Sequence, residues 1–300
     1  MKSKYVLPLF LIVQIIFYKI LLFFPDFVEG FYSKNLFVRI SHFSRMILGK
    51  ISFSVGDLIY AILIISAISW FWKIRGTWKT DWKDHLLKII GKISVFYFFF
   101  HLLWAFNYYR EPLFQKMEIK KEYTDADLLA FTKRLIAKTN EVQFQITKND
   151  SAKVVFPYSQ KESFKMILNG YDNLAKEHPY FKYKTISVKK SLFSLPLTYM
   201  GFGGYLNPFT NEAQINYLLP MYNFPLTTSH EMAHQIGFAS ESECNFIGVL
   251  ASVKNENLYY QYSGYSFTLN YCLGIWKYKN EKVFNQLKKT VHVGILKNYQ

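Results

Sequence analysis

Three apolar runs dominate the first third of the chain. Tyr5 to Phe24 is almost unbroken, Leu58 to Trp72 is a second run, and Ile89 to Tyr108 is a third, interrupted by Lys92. An α-helix rises about 1.5 Å per residue, so about 20 apolar residues match the hydrocarbon core of a bilayer. The pattern therefore predicts three membrane helices, over about 5–24, 54–73 and 89–108. Lys19 and Lys92 fall where long stems can carry their charge to the headgroups. Trp104, Tyr108 and Tyr109 form an aromatic belt at the far end of the third helix. No small-residue cleavage site follows the first run, so an uncleaved anchor is expected. Asp57 is tolerable at a helix end but would demand a partner at the bilayer midplane.

Past Arg110, Glu111 and Pro112 the pattern becomes that of a water-exposed domain. Thr124 and Asp127 have the spacing of a capping box, opening a helix through about Lys138. A second helix is predicted over Gln160 to Lys176, and Thr185 to Phe193 alternates like a strand. Leu197 to Asn207, with Gly201, Gly203, Gly204 and Tyr205, reads as a strand or hairpin where a backbone must approach something closely. Two helices are predicted near the end, Leu258 to Tyr278 and Glu281 to His292. The polar positions of the first, among them Gln261, Ser263 and Asn270, place it against the domain and not across a membrane. The expected fold is α+β and mainly helical: a membrane region over 1–109 and an extracytoplasmic domain with a small sheet over 110–300.

Composition agrees with a membrane protein, with 51% hydrophobic and 19% aromatic residues against 19% charged. The net charge is +15, and the first 108 residues carry 13 basic and 5 acidic side chains. Attraction to anionic lipid headgroups accounts for this, and the absence of any aromatic-basic repeat argues against a nucleic-acid partner. Lys2 and Lys4, with Lys73, Arg75, Lys79, Lys83 and Lys88 between the second and third runs, favour an inside amino terminus. Three crossings then place everything after Tyr109 outside, in a bacterial cell (inner) membrane. Cys244 and Cys272 could form a disulfide there, but both sit in apolar helical patterns that favour buried thiols.

The chemistry lies in TTSHEMAHQIGFASESECNFIG, where His230, Glu231 and His234 form H-E-x-x-H. Residues four apart share one helix face, so both imidazoles can point at one Zn²⁺. Glu231, one step along, can take a proton from a water on the metal without itself binding it. Thr227, Thr228 or Ser229 could cap the helix start, and Gly237 is placed to end it. The bland alternative is two satisfied histidines on an amphipathic helix. A third ligand leaves a position open for water. Glu241 and Glu243 both qualify, on a helix starting near Ser240. Glu241 is preferred because Asn245 shares its face and could orient a ligand histidine.

His230, Glu231 and His234, followed by Glu241 to Asn245 as E-S-E-C-N, resemble the gluzincin pattern H-E-x-x-H then E-x-x-x-D. Asparagine replaces aspartate, and the gap before Glu241 is shorter than in thermolysin-like enzymes, requiring a tight turn through Gly237. Together with FSVGDLIY, LLWAFNYYREPL and TYMGFGGYLNPFTNEAQIN, these residues resemble an uncharacterised family of bacterial multi-pass membrane proteins with a zincin-like motif, a domain of unknown function. Its members often continue past the position of Gln300. The resemblance implies a zincin-like metallopeptidase domain and leaves the substrate open.

In zincins an edge strand beside the metal pairs with an extended substrate, a role suited to Gly201, Gly203, Gly204 and Tyr205; an ordinary glycine-rich turn is the alternative. Tyr199, Tyr205 and Tyr222 are candidate oxyanion donors, none singled out. The expected function is a membrane-anchored zinc metallopeptidase acting on a peptide or protein. The competing expectation is a non-catalytic zinc-binding membrane protein with a structural or sensing role, which a closed four-ligand site would favour.

Overall fold

The computed structural model describes residues 2–300, and the chain is mainly helical around one small sheet. The first third holds α1 (Val6–Leu21), α2 (Pro25–Phe27), a π-helical stretch Val28–Leu36, α3 (Phe37–Leu48), α4 (Val55–Ile74) and α5 (Trp82–Leu103). A 3-10 stretch, Ala105–Tyr109, and the single turn α6 (Leu113–Lys116) lead into α7 (Asp125–Thr147), α8 (Gln160–Met166) and α9 (Leu168–Glu177). Then come β1 (Val188–Lys190), α10 (Ser194–Met200), β2 (Gly204–Asn207) and β3 (Glu212–Ile215). The chain closes with α11 (Phe224–Gln235), α12 (Glu241–Val253), α13 (Leu258–Lys279), α14 (Glu281–Lys288) and α15 (Val293–Asn298).

Helices α4 and α5 are long and apolar enough to cross a membrane. The first predicted span differs. Helix α1 ends at Leu21, and the chain bends by 102° into Pro25–Leu48, so a third crossing exists only if that bent pair is one broken span. Pro25 supplies the physical reason, because it cannot donate a backbone hydrogen bond into the preceding turn. The third predicted span also shifts, beginning at Trp82 and ending at Leu103. Its first turns are polar and take in Lys83 and Lys88 of the expected connector, and Asp84 there takes an ion pair from Lys4 at 2.8 Å. Helix α1 packs along α5, where Gln14 Nε2 donates to Ser94 Oγ at 3.0 Å.

Local signals locate most later elements. The Thr124 and Asp127 capping box is formed, and α7 runs on to Thr147, beyond the expected end. The Gln160 helix is divided into α8 and α9, and its own capping box, Ser159 with Glu162, escaped the sequence reading. The strand expected over Thr185 to Phe193 shrinks to Val188–Lys190. Of the segment Leu197 to Asn207, expected as strand or hairpin, Leu197–Met200 lie in the helix Ser194–Met200 and only Gly204–Asn207 is extended. The sheet order is β1-β3-β2, with β1 parallel and β2 antiparallel to β3, so β2 is an edge.

One apolar core beneath the sheet gathers Phe224, Met232 and Ala233 of α11 with Cys244 and Ile247 of α12. A second joins α7, α13 and α14. Helix α13 thus packs against α7 and α12. Both cysteines are buried free thiols.

The N-terminal helices are bound into the same body by polar contacts. Glu212 of β3 accepts from the backbone N–H of Val55 and Gly56 at the open start of α4 (3.3 and 2.6 Å), where exposed donors favour an anion. Asp57, in the first turn of α4, accepts from Leu192 N at 2.6 Å, Ser191 Oγ at 3.1 Å and the Tyr205 hydroxyl. Asp57 thus lies at a helix end, and its carboxylate is taken up by this polar junction.

Candidate metal centre

Helix α11 starts at Phe224, earlier than the threonines suggested, with Pro225 in its first turn where a missing N–H costs nothing. Its buried face, Phe224, Met232 and Ala233, fixes its rotation and turns His230 and His234 the same way. Gln235 locks it further, donating to Ser187 O (2.9 Å) and Asn211 O (2.7 Å) and accepting from the Tyr183 hydroxyl (2.5 Å). Gly237 follows with φ +94°, a conformation that suits glycine, and Phe238 N returns to Ala233 O at 3.2 Å to close the helix. That reversal brings α12 back against α11.

The two imidazole rings meet edge to face, with centroids 4.9 Å apart. His230 Nδ1 lies 3.0 Å from Asn245 Oδ1, and His234 Nδ1 lies 2.8 Å from Phe238 O. Both partners are oxygens that accept, so each Nδ1 is placed to donate, and a ring that donates there while neutral presents Nε2 as a lone pair. Both Nε2 atoms face one carboxylate, with Glu241 Oε2 3.1 Å from His230 and Oε1 3.5 Å from His234. Three acceptors thus converge. Only a positive charge among them, a proton on an imidazole or a metal ion, makes the arrangement favourable. Two imidazole nitrogens and one carboxylate, with the far ring nitrogens fixed by acceptors, suit Zn²⁺. With the proton on the imidazoles, hydrogen bonds from His230 and then His234 hold the Glu241 carboxyl well below the ordinary carboxylate range.

Glu231 also lies within reach, since its carboxylate and the two histidine nitrogens fall within 4.8 Å of one another. Glu241 is the nearer to both Nε2 atoms and its side chain is 75% exposed, whereas Glu231 is buried with Oε2 lacking a hydrogen-bond partner. Burial raises the Glu231 carboxyl to about 7; His230 opposes the rise and Glu241 adds to it. The other candidate ligand, Glu243, is turned away, and its Oε1 accepts from Leu113 N at 2.6 Å.

Gly204 makes room for Glu231. A Cβ there would lie 3.0 Å from both Cγ and Oε1 of Glu231 and 2.6 Å from Gln214 O. Gly204→Ala is therefore expected to destabilise the protein by about 1–3 kcal/mol, seen as a lower thermal midpoint of the full chain in detergent. An unchanged midpoint would show that the strand yields without cost.

A cavity of about 370 Å³ opens beside the cluster, with Glu231, His234 and Glu241 on one wall and Gly204, Tyr205 and Leu206 of the edge strand on another. Gly201 ends α10 with φ +76°, and Gly203 packs over Thr227; neither lines the cavity. Among the candidate oxyanion donors, Tyr205 spends its hydroxyl on Asp57, Tyr199 is 86% exposed, and Tyr222 packs into the α7–α13 core.

Trp104 and Tyr108 are residues of this site that sequence reasoning missed. Trp104 lines the cavity, its ring 5.8 Å from that of His234. Tyr108 stacks edge-on against Trp104 at 5.1 Å, and its hydroxyl is pushed up first by burial and then by the charge of Glu241. The sequence places both in a membrane-interface belt, and no local pattern separates the two roles.

The end of α11 is held by the N-terminal region. Arg45 Nη1 donates to Gln235 O at 2.8 Å, Arg110 Nη1 to Gly237 O at 2.6 Å and Trp104 Nε1 to His234 O at 3.5 Å. Arg110 in turn grips buried Glu29 through Nε and Nη2 (2.7 and 2.8 Å), with Lys116 on the same carboxylate at 2.5 Å.

Fold and site define a mainly helical protein, with helices able to cross a membrane and a compact His-Glu-His-Glu cluster at their ends. The chain belongs to the DUF3810 family, described as proteins of unknown function, whose model matches residues 32–300. No curated protein and no solved structure gives a significant match.

Proposed function

We propose that this protein is a membrane-anchored zinc metallopeptidase of the bacterial cell membrane, with its site on the extracytoplasmic side. The observation that carries this reading is the convergence of both Nε2 atoms on Glu241 while each Nδ1 is tied to an acceptor oxygen. His230, His234 and Glu241 would hold Zn²⁺, with Asn245 and Phe238 O orienting the rings. When bound, zinc supplies a Lewis acid that polarises a carbonyl and lowers the pKa of water.

The remaining chemistry belongs to the chain. Glu231, with its carboxyl near 7, can exchange a proton at neutral pH, as a general base and then a general acid must. The free edge of β2 offers backbone groups to an extended peptide along the cavity. Trp104 and Leu206 give the cavity an apolar wall beside the buried carboxyl. The engagement of Glu243 with Leu113 N supports a three-ligand centre with an open position over a closed structural one.

The test is zinc binding by the full chain in detergent. Wild type and Glu243→Ala are expected to bind one equivalent, and His230→Ala and His234→Ala none tightly. Asn245→Ala should weaken affinity about 10–100-fold, the usual loss when a partner orienting a ligand histidine is removed. Equal zinc binding by wild type and His230→Ala would sink the proposal.

A further inference from the structure

The two candidate spans both terminate at the candidate metal centre. Only residues 75–81 separate α4 from α5. If both cross, they cross in opposite directions, so the start of α4 and the end of α5 share one side of the membrane. Trp104, immediately after α5, lines the cavity. Asp57, in the first turn of α4, holds Tyr205, which lines the cavity from the other side. The centre therefore sits at the membrane boundary.

The rim of the cavity has a matching surface. Residues 191–202, SLFSLPLTYMGF, contain no charged side chain. Leu192, Leu195, Tyr199, Met200 and Phe202 are each more than half exposed, and Met200 and Phe202 also line the cavity. This surface is continuous with a span, because Leu192 N is bonded to Asp57 at the head of α4. Past Asp57, α4 presents exposed Leu58 and Ile62. An uncharged segment with clustered large apolar side chains, joined to the end of a membrane helix, has lipid as its natural cover.

We propose that α10 and its flanks lie in the membrane interface, and that the site takes polypeptide segments held at the bilayer surface, which reach it along the membrane. The substrate clause rests on the hydrolase reading; the placement of α10 does not.

The test uses the full chain in lipid nanodiscs, with an environment-sensitive fluorophore on Tyr199→Cys or, as a control on α14 remote from the spans, on Lys282→Cys. The native cysteines are buried and leave the label to the introduced one. The label at position 199 is expected to be quenched at least two-fold by nitroxide-bearing lipid and to resist aqueous iodide, with the reverse at 282. A label at 199 open to iodide and untouched by lipid overturns the proposal. The zinc-loaded protein is then given one peptide free and the same peptide carrying a palmitoyl chain on phosphatidylglycerol vesicles. A ten-fold or greater preference for the anchored form is expected, and equal cleavage overturns the substrate clause. Lipid quenching at 199 with neither peptide cleaved on zinc loading would reject the hydrolase reading while supporting the placement of α10.

Discussion

Glu231→Gln is expected to abolish most hydrolysis while leaving zinc bound. A positioned general acid or base typically contributes about 10²–10⁴-fold to rate, and glutamine keeps the shape of the side chain without its proton-accepting oxygen. Zinc retention follows because Glu241 stands nearer both imidazoles than Glu231 does. The same variant has an opposite and separately measurable effect on the chelated, metal-free protein. Burial raises the folded carboxyl from 4.5 to about 7, so between those values the folded state binds more protons than the unfolded one and wild-type stability falls as pH rises. The gap corresponds to about 3 kcal/mol. Relative to wild type, Glu231→Gln should be more stable by up to that amount above about pH 7, with the advantage gone below about pH 4.5. Thermal midpoints at pH 4.5 and 8 check the sign. A variant no more stable than wild type at pH 8 would contradict a desolvated carboxyl at this position.

Arg110→Ala should be among the most damaging substitutions outside the cluster. Glu29 and Arg110 are both nearly inaccessible, with side chains 5% and 7% exposed. Removing one partner of a buried pair leaves an uncompensated charge, at a cost of about 3–5 kcal/mol. Lys116 stays on Glu29 and places the expected loss toward the lower end. Arg110 also donates to Gly237 O, so the variant should weaken zinc binding as well as lower the thermal midpoint. Glu29→Leu combined with Arg110→Met should recover much of the stability, because the pair is removed without stranding a charge. Zinc affinity should recover less, since the Gly237 carbonyl still lacks its donor. A wild-type midpoint for Arg110→Ala would show that the pair carries no net stability.

What was legible in the sequence was what depends on a few consecutive residues. Helical geometry alone puts His230 and His234 on one face, Gly237 after the last turn, and Asn245 one turn beyond Glu241. The capping box at Thr124 is local in the same way. Where structure departs from local pattern, distant partners decide. Leu197–Met200 open a glycine-rich segment with the look of a hairpin, yet they lie in a helix from Ser194, whose Oγ donates to Ser191 O and accepts from Tyr217 N. The third helix begins at Trp82, before its apolar run, and takes in Lys83 and Asp84. Their charges are compatible with a helix whose end reaches water, and Asp84 is matched by Lys4 eighty residues earlier.

The sequence by itself determined the chemistry available to this protein: two imidazoles in step on one helix, an acid beside them, a turn, and further acids on the next helix. It also determined that long apolar helices precede that chemistry. The tertiary structure alone decided which acid faces the imidazoles, that Tyr205 answers to Asp57, and that Trp104, just past α5, turns to the cavity wall. It also decided that Arg45 and Arg110 hold the carbonyls at the end of α11. Periodicity records which face of a helix is apolar, because burial acts on every turn alike. Pairing between polar groups far apart in the chain leaves no periodic trace, since each pair is satisfied once, in a geometry that exists only after the elements have packed.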